Sequence, residues 1–330
     1  MRKVYYRRYR QRRAAKKRLA IFILFIVTFV ITIVFIRSLL SRTTPNNQSV
    51  QSATITSEAV PSQTDDSKPP PLKRTNSQLL GEVIQSSLSG THGEYGILVQ
   101  NLKTNEFYTS NEHTEFYSAS LYKLWVMLTV FEQINLGILS KDTILSQDVA
   151  VLNKKFNIGS ESAELTEGTI KISIEEALKK MIVISDNYSA LLLTEKVKLT
   201  TIDSVLKKNG LFESELGKKD KPPTTTPYDM GLFFEKLYSG QLADKKTTDE
   251  MIGLLKAQRL NDKIPKYLPD DIIVAHKTGE LDEYSHDAGI IYTPEHDYIL
   301  IILTKSDDPE AAEIRIANIS QGIYGYFNHN

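Results

Sequence analysis

The 330-residue chain contains no cysteine. Disulfides, thiolate metal sites and a cysteine nucleophile are therefore excluded together. Its six histidines (His92, His113, His276, His286, His296 and His329) form no H-E-x-x-H or H-x-H pattern, which argues against a zinc hydrolase. No G-x-S-x-G is present, so the strained strand-to-helix elbow of a Ser-His-Asp hydrolase is missing too. Acids are absent from the start of the chain. Ten basic residues, Arg2 to Arg18, come before any aspartate or glutamate, although the formal net charge of the whole is zero. The remainder is consequently net acidic, which argues against nucleic acid as a partner.

Charge is also missing from Leu19 to Ile36, LAIFILFIVTFVITIVFI. At about 1.5 Å per helical residue this run crosses most of a roughly 30 Å hydrocarbon core. Leu39 and Leu40 extend it if Arg37 snorkels to the interface. The basic flank predicts residues 1–18 on the cytoplasmic side and the rest of the chain outside. No small-x-small cleavage site follows near Ser38 to Thr44, so 19–40 reads as a signal anchor, not a removed signal peptide. Residues 41–76 are rich in Ser, Thr, Pro, Gln and Asn, with Pro69, Pro70 and Pro71 at the end. Such a composition buries no core and predicts a disordered tether of roughly 30–35 Å mean span.

From residue 77 onward the apolar spacing predicts a helix over Leu79 to Leu88 and strands over Glu94 to Gln100 and Thr104 to Ser110. A helix apolar nearly all round follows over Leu121 to Leu136 and stops at Gly137. Further helices are predicted over Ile174 to Ile184, Ala190 to Val197 and Glu250 to Gln258. Another starts at Thr226 as cap, with Pro227 in the first turn, Asp229 as a capping-box acid and Gly240 at its end. Strands over Ile272 to Lys277, Ala288 to Thr293 and Tyr298 to Thr304, then a helix from Pro309 to about Tyr326, close the chain. The pattern predicts an α+β fold: a five-stranded antiparallel sheet with the terminal helices on one face and a helical subdomain on the other.

Three short motifs carry chemistry. Ser120 and Lys123 form an S-x-x-K. At helical spacing they share one face, so the lysine amine can take the serine proton if burial lowers its pKa. A second copy, Ser204 to Lys207, lies on a polar stretch and shows how easily the pattern arises. Ser185, Asp186 and Asn187 form S-D-N. All three residue types start helices well, and the alternative reading makes Ser185 a proton relay and Asn187 an amide-binding group. Lys277, Thr278 and Gly279 form K-T-G at the end of a strand, where a lysine and a hydroxyl can bind a carboxylate and a glycine admits close backbone approach. The N–H groups of Ser120 and Glu280 are then candidates for an oxyanion hole. His276, one residue from Lys277, points away from the site by strand alternation.

In this order the motifs resemble those of the class A β-lactamases and the penicillin-binding D,D-peptidases. The spacings, 65 residues from Ser120 to Ser185 and 92 from Ser185 to Lys277, are similar to the class A pattern. The resemblance extends over Phe116, Thr224-Thr225-Thr226-Pro227 and the final hairpin and helix, from about Ser77 to the end. It implies a serine hydrolase without metal or cofactor, acting on β-lactams or on peptidoglycan peptides. Ser120 would be acylated, Lys123 would belong to the base, and Ser185 would pass a proton to the leaving nitrogen. Lys277, Thr278 and Asn187 would hold the acyl donor. One element departs from the class A pattern. Where an E-x-x-L-N loop supplies the water-activating glutamate, this chain has Glu213-Ser214-Glu215-Leu216-Gly217, with glycine in the asparagine position and a shorter approach from Asn187. Glu213 is the candidate base, and Lys218, Lys219 and Lys221 give the loop a solvated look. Three readings follow: a membrane-tethered β-lactamase, a D,D-peptidase that traps β-lactams, and a non-catalytic sensor of wall fragments or antibiotics.

Overall fold

The apolar run Tyr298-Ile-Leu-Ile-Ile-Leu303 is continuous, the signature of a strand buried on both faces. In the computed structural model, which describes residues 75–217 and 221–329, this run forms the central strand of the main sheet. Alternate side chains serve two separate cores. Ile299, Ile301 and Leu303 face a large helical block, whereas Tyr298, Leu300 and Ile302 face the two terminal helices. The basic segment, the Leu19 to Ile36 run and nearly all of the tether lie outside the described residues. Among the described residues no helix is long and apolar enough to cross a membrane.

The strands are β1 (Thr75–Asn76), β2 (Glu94–Asn101), β3 (Glu106–Ser110), β4 (Phe116–Tyr117), β5 (Ile144–Asp148), β6 (Thr169–Ser173), β7 (Thr224–Thr225), β8 (Ile273–Leu281), β9 (Tyr284–Tyr292) and β10 (Tyr298–Lys305). The main sheet has the order β1-β3-β2-β10-β9-β8. Five strands are antiparallel, as expected, and the two-residue β1 adds a short parallel pairing to β3. Thr75 and Asn76 thus belong to the sheet, two residues earlier than composition alone places the boundary.

The helices are α1 (Gln78–Leu88), α2 (Tyr122–Asn135), α3 (Val149–Lys155), α4 (Ile174–Val183), α5 (Asn187–Val197), α6 (Leu199–Lys208), α7 (Pro227–Tyr238), α8 (Lys245–Lys256) and α9 (Pro309–His329). Leu80 and Ile84 of α1 join Ile316, Ile319 and Ile323 of α9 beneath one face of the sheet. On the other face α2 is the axis of the helical block, with every residue from Lys123 to Phe131 buried. Each Leu, Met or Phe so buried contributes about 1.5–3 kcal/mol. The lysine at the head of this helix is the exception that requires a polar site around it.

Two predicted starts differ in detail. Thr226 caps α7 by accepting from the Asp229 N–H, but Asp229 does not return the bond as a capping-box acid. Its carboxylate turns inward and accepts from the Glu213 N–H instead. The second S-x-x-K lies on α6, where Ser204 bonds back to Thr200 O and Lys207 pairs with Asp203 in solvent. It is a surface feature.

Candidate active site

The nucleophile candidate is set by a short ladder and a strained turn. β4 and β7 pair Phe116 with Thr225 and Tyr117 with Thr224, and the Ser118 N–H continues the ladder to Pro223 O at 2.7 Å. The chain then turns through Ala119, whose φ of +47° is left-handed and costs about 1–2 kcal/mol for a non-glycine residue. Ser120 follows in a single 3₁₀ turn (Ala119–Leu121) that runs into α2. Its N–H belongs to the first helical turn, where no partner exists within the helix.

Two further elements clamp this turn. Gly279 of β8 lies directly beneath it; a Cβ there would stand 3.1 Å from Ser118 O and 3.2 Å from Ala119 Cβ. His286, opposite Gly279 on β9, donates from Nε2 to Tyr117 O at 2.7 Å and accepts the Thr304 N–H at Nδ1. Both bonds require the neutral ring with its proton on Nε2. Burial holds the His286 pKa down at about 4, the bond to Tyr117 opposing that shift.

A polar chain runs across the mouth of α2. Lys123 Nζ donates to Ser185 O at 2.7 Å, Ser185 Oγ at 3.2 Å and Asn187 Oδ1 at 2.7 Å. Lys277 Nζ donates to the same Ser185 Oγ at 2.9 Å and to Thr278 O at 2.8 Å. The Ser185 hydroxyl therefore accepts from two amines. With both lone pairs engaged, its own proton is the group left to donate outward. The Lys277 pKa is held well below the ordinary lysine value, by burial first and then by the ammonium groups of Lys123 and Lys263, against the carboxylates of Asp287 and Glu280. Ser185 itself sits at φ +57°, a second left-handed residue, while Asp186 caps α5 by accepting from the Ser189 N–H. Within the S-D-N triplet, aspartate is the helix cap and the serine hydroxyl lies between the two lysines.

β8 is the free edge of the sheet. Thr278 O points off that edge to Lys277 Nζ, and in an antiparallel pair alternate residues direct their backbone groups the same way. The Glu280 N–H therefore also points off the edge, beside the turn that carries Ser120, as an oxyanion hole requires. The Glu280 carboxylate is engaged elsewhere, with the buried Lys263 at 3.1 Å. The Thr278 side chain lies on the opposite face from Lys277, with His276 and Asp287, which pair at 2.8 Å in the interior. His276 is thus turned from the site, as alternation predicts.

The structure brings Ser120, Lys123, Ser185, Asn187, Lys277, Thr278, Gly279 and Glu280 to one place. It does not bring Glu213. That side chain accepts from Thr226 Oγ1 at 2.8 Å and bonds His113 Nδ1 at 2.9 Å. The Glu215–Thr224 bridge fixes the register of its loop, so Glu213 falls at the Thr226 end of the ladder, whereas Ser120 leaves from the Ser118 end. Sequence reasoning missed His286, Lys263 and Glu164, the last of which accepts from Asn187 Nδ2 at 2.8 Å.

The Beta-lactamase enzyme family matches residues 79–327. The chain belongs to the beta-lactamase enzyme family. No curated protein matches. Among solved structures, PBP-A superposes with a TM-score of 0.69 at 19% identity, covering 79% of this chain and 99% of that one. A beta-lactamase from Sphaerobacter thermophilus does so with a TM-score of 0.67 at 22% identity, covering 76% and 97%. A PBP-A mutant described as an acyl-enzyme complex with penicillin-G gives 0.68 at 18% identity, covering 79% and 100%. These similarities establish the beta-lactamase fold.

Two buried groups of this family member titrate in opposite senses. Burial, then the nearby Glu213 carboxylate, raise the Asp229 pKa to about 6 against hydrogen bonds from Ser214 and Glu213, and one Asp229 oxygen lacks a protein partner. A raised carboxyl contributes stability fully present below its unfolded value of 3.8 and lost as pH rises through about 6. A depressed histidine contributes stability present above 6.5 and lost as pH falls through about 4. Each shift is worth roughly 3 kcal/mol, so over pH 4 to 6 the two largely offset. Asp229→Asn is expected to be more stable than the parent at pH 7.5 by about 1–3 kcal/mol. It should then lose stability steeply from pH 6.5 to 4, where the parent changes little; urea unfolding across pH checks both.

Proposed function

We propose that the chain is a membrane-tethered, penicillin-binding serine acyl hydrolase whose acyl-enzyme at Ser120 forms readily and is released slowly. The groups gathered at the site support acylation. Ser120 Oγ attacks the amide or lactam carbonyl, with Lys123 one turn along α2 and within the network that takes the proton. The Ser120 and Glu280 N–H groups receive the developing oxyanion. Ser185 gives its proton to the leaving nitrogen, and the Lys123 ammonium, which carries the proton taken from Ser120, replenishes it through its bond to Ser185 Oγ. Lys277 holds a carboxylate on the leaving side, and Asn187 holds the acyl-side amide.

The observation that carries the slow-release reading is Glu213, whose carboxylate is occupied by His113 and Thr226 away from Ser120. The similarity to PBP-A, and the penicillin-G acyl-enzyme described for a PBP-A mutant, are consistent with this chemistry. Physiological substrates are then peptidoglycan peptides ending in a carboxylate, and β-lactams act as persistent acylating agents. The Leu19 to Ile36 run would hold the domain at the outer face of the membrane, within reach of the wall.

Intact mass after addition of penicillin G tests the reading. A stable adduct of the penicillin mass on Ser120, with Glu213→Gln releasing it at a rate within about twofold of the parent, is the expected result. Rapid loss of antibiotic, slowed a hundredfold or more by Glu213→Gln, would restore the β-lactamase reading with Glu213 as the water-activating base.

A further inference from the structure

The polar chain across the site is directional. From Lys277 it runs through Ser185, Lys123 and Asn187 and ends on the Glu164 carboxylate. One end is cationic, with Lys277 and the buried Lys263 beyond it. The other end is an exposed anion in the loop between α3 and β6. Asn187 is fully oriented between them. Its oxygen must face the Lys123 ammonium, and its amide must face Glu164. One Nδ2 hydrogen is then left for a substrate carbonyl. Among the described residues no cation pairs with Glu164, which is exposed and bonded to the same Asn187 amide that would hold that carbonyl.

We infer that Glu164 is a specificity-determining residue that favours acyl donors carrying a cationic group, such as a primary ammonium, on the acyl side of the bond that breaks. The inference rests on the proposed function, which places the leaving nitrogen at Ser185 and the acyl side at Asn187. A substrate matched to both ends is then zwitterionic. Its carboxylate lies on the leaving side at Lys277 and its ammonium on the acyl side at Glu164. The pairing is exposed, so its effect is modest and falls with ionic strength.

The test is the second-order rate of Ser120 acylation by two penicillins, measured by intact mass on the full chain in detergent. One carries an acyl chain ending in a primary ammonium, and the other is its N-acetyl form. The ratio of the two rates cancels any general loss of reactivity. In the parent the ammonium form should react about threefold to fivefold faster at low salt, with the ratio approaching one at high salt. Glu164→Gln should bring the ratio to about one, and Glu164→Lys should invert it. A parent ratio of one at low salt, or a ratio unchanged in both variants, overturns the inference while leaving the acylation reading intact. Absence of any adduct from either penicillin on folded parent protein overturns the proposed function, and this inference with it.

Discussion

Ser120→Ala is expected to abolish the covalent penicillin adduct, lowering the acylation rate below detection, at least 10⁴-fold, while leaving the fold unchanged. The serine contributes little to stability. Its side chain is half-buried at the start of a 3₁₀ turn, and the turn is held by Ser118, His286 and Gly279. Thermal unfolding within a few degrees of the parent, with no mass shift after prolonged exposure to penicillin G, would meet the expectation. A persistent adduct would place the nucleophile elsewhere. Continued tight but non-covalent retention of penicillin, together with unaltered biological response, would favour the sensor reading of this domain.

Ser185→Gly is expected to separate activity from stability. The hydroxyl bridges Lys123 and Lys277 and is the group placed to protonate the leaving nitrogen, so its removal should slow acylation by about 10²- to 10⁴-fold. The backbone at Ser185 is left-handed, φ +57°, a conformation in which glycine is unstrained. Relief of roughly 1–2 kcal/mol of strain offsets the entropy that glycine adds to the unfolded chain. Stability should therefore stay within about 1 kcal/mol of the parent or rise. Ser185→Ala, which removes the hydroxyl and keeps the strain, should be the less stable of the two. Equal stability of the alanine and glycine variants would show that the strain is not there to be released.

The parts of this molecule legible in sequence are those where one physical signal dominates. The run Tyr298 to Leu303 declares a doubly buried strand, and α2, apolar nearly all round, declares a central helix. Gly137 and Gly240, at φ +70° and +71°, stop their helices as their positions imply. Legibility failed where polar residues are buried. β9 begins at Tyr284, but Tyr-Ser-His-Asp reads as loop because three of its four side chains are polar. The expected strand therefore started at Ala288, and His286 and Asp287 were left out of the sheet. Had the turn been placed at Asp282 and Glu283, the register would have put His286 opposite Gly279 and next to the nucleophile turn. Lys263 and Glu164 offered even less. Each stands in a polar stretch without periodicity, and each acquires meaning only through a residue far away in sequence. The hairpin of β5 and β6 went unread for the related reason that short, half-exposed strands carry few apolar residues.

The Glu213 loop teaches the opposite lesson, since its motif was visible and its geometry was not. A glutamate two residues before another glutamate, ahead of a Thr-Thr-Thr-Pro stretch, carries the right composition for a water-activating base. Where the carboxylate ends up is decided by the pairing of Glu215 with Thr224, a register that composition does not encode.

The three motifs also have a mechanical consequence. Ser120 and Lys123 head the buried helix of one core, Ser185 belongs to the helical block around it, and Lys277 rides on the outermost strand of the sheet. No two of the three are neighbours in the chain, and they meet only where the sheet and the helical block close on each other. Nucleophilic competence is therefore a property of the closed seam, and any local opening there silences the serine before either core has melted. Conversely, an acyl group bonded to Ser120 and hydrogen-bonded at the β8 edge ties the joint together. The acylated protein should consequently unfold at a higher temperature than the free one, and the rate of labelling by a β-lactam reads out in real time how much of the population has its two halves docked.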